Sequence, residues 1–139
     1  MTDIQLTKNF RLAEMCHTDT GLKNEPDEWT TEKLLRLCQR VLQPCRDAIG
    51  VPMKVNSAYR SPLVNQAVGG VGLSQHLFGE AADIYIEDEA KYKEAIQFFL
   101  EHKEIPWRQL LTCDRGKWFH ISIDYCLKPR HFFRRNHYK

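Results

Sequence analysis

Apolar side chains recur at three- and four-residue steps from Leu34 to Ile49, through Leu37, Cys38, Val41, Leu42 and Cys45. That spacing predicts a helix with one buried face, capped by Thr30 or Thr31 and ended by Gly50. Pro44 should bend or break it near residues 40–44. The period then changes. Val51–Tyr59 partly alternates and holds β-branched residues, as a strand does. Ser61-Pro62 opens a short helix over 62–68, and Gly69, Gly70 and Gly72 form a loop. Ala81–Ile86 reads as a second strand. Residues 88–102 place Tyr92, Ala95, Ile96 and Phe99 on one helical face. Trp107–Cys113 and Trp118–Ile123 read as two further strands, joined through Asp114–Lys117 as a hairpin. Residues 1–29 are mixed, with Phe10, Leu12 and Met15 packing inward. The order predicts an α+β domain whose small antiparallel sheet is flanked by helices.

A chain of 139 residues, 42% hydrophobic and 27% charged, has the size and balance of one globular domain that needs no disulfide staples. It contains no apolar run long enough to span a bilayer and no basic start followed by an apolar stretch, so a cytoplasmic location is expected until something releases the protein. The five cysteines fit no CxxC pattern and read as reduced thiols, with Cys38 and Cys45 in the core. The net charge of +2 hides an asymmetry: residues 128–139 carry five basic groups and no acid, leaving 15 basic against 18 acidic groups elsewhere. Such an aromatic, basic end can meet an anionic polymer, although a solvated terminus is the plainer reading. We therefore divide the chain into a domain over 1–127 and a basic C-terminal tail over 128–139.

Candidate chemistry gathers around residues 55–84. His76 and Asp83 stand seven apart with Gly79 between them, and His120 lies on the later strand WFHISI. Alternation puts His120 with Trp118 and Ser122 on one face, and Phe119, Ile121 and Ile123 on the core face. Two imidazoles and one carboxylate are the protein ligands of a catalytic zinc ion whose fourth position stays open for water. The reaction class would be hydrolysis of an amide or ester. Arg60 is the candidate for stabilising an oxyanion or a substrate carboxylate, and Ser74 and Gln66 are candidate hydrogen-bonding groups for substrate. Spacing alone does not establish this, because two histidines and an aspartate are common in a chain of this length.

The run SAYRSP, followed by NQAVGG, SQHLFGEAADI and WFHIS, resembles the zinc D-alanyl-D-alanine carboxypeptidase family of murein peptidases, particularly its short single-domain phage and prophage members. The resemblance covers most of residues 10–125. It implies the α+β fold shared with hedgehog signalling domains, one zinc ion held by His76, Asp83 and His120, and Arg60 as the substrate- or oxyanion-binding arginine. It implies action on the stem peptides of peptidoglycan, as a carboxypeptidase or an endolysin-type endopeptidase. Nucleic acid is not an expected partner, and a monomer is expected. Many members carry a glutamate base three residues before the last histidine, where this chain has Lys117. Other short members use a carboxylate further back, which makes Asp114 the candidate base, ahead of Glu80. The departure at Lys117 keeps a rival open: a non-catalytic wall-binding module of the same fold. A structural component of a virion is a third reading.

Overall fold

The computed structural model describes residues 2–72 and 74–139. It begins with a hairpin of β1 (Gln5–Thr7) and β2 (Phe10–Arg11) and a single turn, α1 (Leu12–Met15), which the mixed pattern of the first 29 residues did not reveal. The long helical stretch starts at α2 (Glu28–Leu37), two residues before the predicted cap. Asp27 is the cap, its carboxylate accepting from the Thr30 amide at 2.7 Å. The predicted irregularity near Pro44 is a π-helical turn over Cys38–Leu42, after which α3 (Gln43–Ile49) carries Pro44 in its first turn. The widened turn keeps the helix continuous where an α-helical ladder would need the amide that proline lacks. Gly50, in the left-handed region at φ 70°, closes it.

β3 (Lys54–Ser57) is shorter than predicted. It is followed by α4 (Pro62–Ala67), β4 (Ala81–Tyr85), α5 (Glu89–Glu101), β5 (Trp107–Cys113), β6 (Trp118–Ile123) and β7 (Phe132–Arg134). The large sheet has the order β3-β4-β6-β5-β7. Its first four strands pair antiparallel, as predicted, and β7 adds to the edge of β5 in parallel. The α+β prediction therefore holds, with an edge strand that comes from the segment read as a tail. The sequence carries little strand pattern there because β7 is three residues long and mostly exposed.

One sheet face packs on the helices. Ala82, Ile84, Leu110, Phe119 and Ile121 join Leu34, Leu37, Val41, Leu42, Cys45, Tyr92, Ile96 and Phe99 in one core. Phe119 meets the rings of Tyr92 and Phe99 with centroids 6.3 and 6.0 Å apart. Among the described residues, no helix is long and apolar enough to cross a membrane.

Candidate metal centre

The opposite face holds the polar group. Asp83, on β4, lies directly across the ladder from His120, on β6, so their side chains leave the sheet on one side. His76 arrives from a 3-10 turn, Gln75–Phe78, fixed at both ends. Ser74 Oγ accepts from the His76 amide at 3.2 Å, and Gly79 takes φ 68° to turn the chain into β4. A side chain at Gly79 would be strained there and would also crowd Thr30 and Leu34. The Arg60 amide donates to the His76 carbonyl at 3.0 Å, tying the turn to the end of β3.

The three candidate ligands offer atoms that all lie within 4.8 Å of one another. His76 Nδ1–H donates to the Ala58 carbonyl at 2.7 Å, and His120 Nε2–H donates to Gln75 Oε1 at 3.3 Å. The remaining nitrogens, His76 Nε2 and His120 Nδ1, face Asp83 Oδ1 at 3.4 and 3.0 Å. When protonated they donate to the carboxylate. Burial pushes the Asp83 carboxyl up, but hydrogen bonds from His120 and His76 and their charges outweigh it, holding the group far below the ordinary carboxylate range. When deprotonated they are lone pairs converging with a carboxylate oxygen. A tetrahedral zinc with bonds of about 2.0–2.1 Å separates its ligands by about 3.3 Å, close to these spacings. The outer hydrogen bonds also fix which nitrogen of each ring faces inward. The donor set fits zinc.

Arg60 stands beside the group, its Nη2 3.6 Å from Asp83 Oδ2. Nε donates to Ser57 Oγ and Nη1 to Asn65 Oδ1, both at 3.2 Å. Asn65, buried on α4, donates in turn to the Val71 carbonyl at 2.8 Å, so the glycine-rich loop and Arg60 share one anchor. The group opens into a cleft of about 620 Å³. Its walls include Gly70, Val71, Arg108, Leu111, Trp118 and Tyr138.

The predicted residues divide. His76, Asp83, His120, Arg60 and Ser74 come together at the cleft. Gln66 does not: it is exposed on α4 and is absent from the cleft walls, because the buried face of that short helix is taken by Val64 and Asn65. Nor does Asp114. Its carboxylate accepts from the Tyr92 hydroxyl, on the core-side helix, at 2.7 Å and from Arg135 at 2.7 Å, which places it outside the cleft. Burial pushes the Asp114 carboxyl up, but the Tyr92 and Arg135 hydrogen bonds hold it below its ordinary value. Asp83 is the one carboxylate among the described residues that line the cleft. Lys117, at the expected base position, donates to the Glu87 carbonyl instead. Gln75 and Asn65 were missed as supporting residues. Their nearness to His76 and Arg60 in the chain was the available signal.

An α+β domain with an aspartate and two inward-facing imidazoles beside a fixed arginine has the donor set that a metallohydrolase site needs. The chain matches the family described as Peptidase M15 over residues 8–122. It belongs to that family, whose peptidases are zinc-dependent, and the resemblance to the zinc D-alanyl-D-alanine carboxypeptidases is borne out at family level. No curated protein matches it.

Proposed function

We propose that this protein is a zinc-dependent peptidase that hydrolyses peptide bonds in the stem peptides of peptidoglycan, as a D-Ala-D-Ala carboxypeptidase or an endolysin-type endopeptidase. The observation that carries the reading is the pair of inward nitrogens of His76 and His120 meeting Asp83 Oδ1 at 3.4 and 3.0 Å. These three residues would hold the ion. Zinc at such a site supplies a water nucleophile at neutral pH and polarises a carbonyl. The chain's own groups do the rest. Ala58 and Gln75 hold the two imidazoles in their binding tautomers. Arg60, fixed by Ser57, Asn65 and Asp83, offers a permanent positive charge to a substrate carboxylate or a developing oxyanion.

The lack of a second carboxylate among the described cleft residues favours a second reading, a wall-binding module that keeps the metal without turnover. Incubation of purified murein with the zinc-loaded protein, followed by mass spectrometry of the products, separates the two. A defined peptide product that disappears with chelator supports the peptidase. Near-unit zinc content and retention on murein without any product supports the module.

A further inference from the structure

Residues 123–139 lie beyond the stretch that matches the family, yet one of them forms part of the cleft. The terminal segment is built onto β5 without slack. β7 pairs with it from Gln109 to Leu111. Beyond β7, the Asn136 amide donates to Thr112 Oγ1 at 2.8 Å, Asn136 Oδ1 accepts from the Asp114 amide at 2.9 Å, and the Tyr138 amide donates to the Thr112 carbonyl at 3.3 Å. These bonds carry the Tyr138 ring onto Trp118, with centroids 4.6 Å apart and planes 29° from parallel. Trp118 stands two residues before His120 on the same face of β6, so the stacked pair borders the metal centre.

We infer that Tyr138 is a substrate-binding residue: together with Trp118 it forms an aromatic wall against which a bound peptide lies, next to Arg60 and Asp83. Two observations support this. Tyr138 lines the cleft although it is far from the metal ligands in the chain. Its hydroxyl is hydrogen-bonded to none of the described residues, leaving a donor and acceptor for a ligand. Rigid aromatic walls with a few convergent polar groups are how clefts of this size hold small ligands.

The inference rests on the proposed peptide cleft but does not require turnover, so its test includes binding. Wild type, Tyr138→Ala and Tyr138→Phe are loaded with zinc and titrated calorimetrically with a murein stem pentapeptide and with a phosphinic pseudodipeptide. KM and kcat are measured where there is cleavage. Tyr138→Ala should weaken binding and raise KM about tenfold, leaving kcat within about threefold and zinc affinity unchanged, with the melting temperature down by no more than about 5 °C for the lost ring stack. Recovery in Tyr138→Phe assigns the effect to the ring, and failure to recover assigns it to the hydroxyl. Either result supports the inference. Unchanged binding in Tyr138→Ala overturns it, as does a loss that tracks lower zinc affinity or partial unfolding at the assay temperature. A wild type that binds the peptide without cleaving it removes the hydrolytic reading while leaving this inference intact. A wild type that binds neither ligand removes both.

Discussion

Gly70→Ala tests the coupling between the glycine-rich loop and Arg60. Gly70 lies outside the left-handed region, so its backbone accepts alanine and the cost is steric. An added Cβ would sit 2.0 Å from Asn65 Oδ1 and 2.7 Å from its Cγ. Asn65 would have to leave, losing its hydrogen bonds to the Val71 carbonyl and from Arg60. A neutral bond contributes about 1 kcal/mol and one to a charged group about 1.5–3 kcal/mol. Alanine returns about 0.4–1 kcal/mol by restricting the unfolded chain. The net loss is about 2–3 kcal/mol, or roughly 6–9 °C in Tm for a chain of this size. Zinc affinity should hold, since the proposed ligands are untouched, while activity falls with the misplaced Arg60. Scanning calorimetry of Gly70→Ala, Asn65→Ala and the double variant is the assay. Asn65→Ala removes the clashing atoms, so Gly70→Ala should cost almost nothing in that background, a non-additivity of about 2 kcal/mol or more. Strict additivity, or an undiminished Tm in the single variant, would refute the reasoning.

Other expectations concern single groups. His120→Ala should lose zinc and activity together, and Arg60→Ala should keep zinc and lose activity; metal content by emission spectrometry beside a murein assay checks both. Asp114→Asn should lower stability by about 1–2 kcal/mol through its bonds to Tyr92 and Arg135, with turnover retained. Because the folded value is depressed, this contribution is complete above about pH 4 and disappears as pH falls through the lowered native value, so denaturation curves of the two proteins should converge in acid. Burial pushes the Cys16 thiol up to about 12 and raises Cys38 and Cys45 as well, whereas Cys126 is exposed. A thiol reagent should therefore modify Cys126 quickly in the native protein and all five cysteines after denaturation.

Much of this could be read in the sequence because it is periodic or local. The stripe from Leu34 to Ile49 and the alternation in WFHISI placed the core helices and put His120 opposite the core. The motif from Ser74 to Asp83 picked out two of the three residues that could hold a metal ion. The position of Asp114 was not legible because distance along a hairpin says nothing of which sheet face its end residue serves; Tyr92 and Arg135 hold it outside the cleft lining. Nor was the outward position of Gln66 legible, since a six-residue helix has one inward face, and Asn65 occupies it. The C-terminal segment was unreadable for another reason. β7 is too short for a pattern, and its place depends on an edge that exists only once β5 has folded.

That edge carries one more consequence. β5 is seven residues long and mostly apolar on its buried positions, and β7 is what caps its outer hydrogen-bonding side. A proteolytic nick before Phe132 would turn a shielded margin into an open template for pairing with another chain. Such clipped material should self-associate, which light scattering after limited proteolysis would reveal.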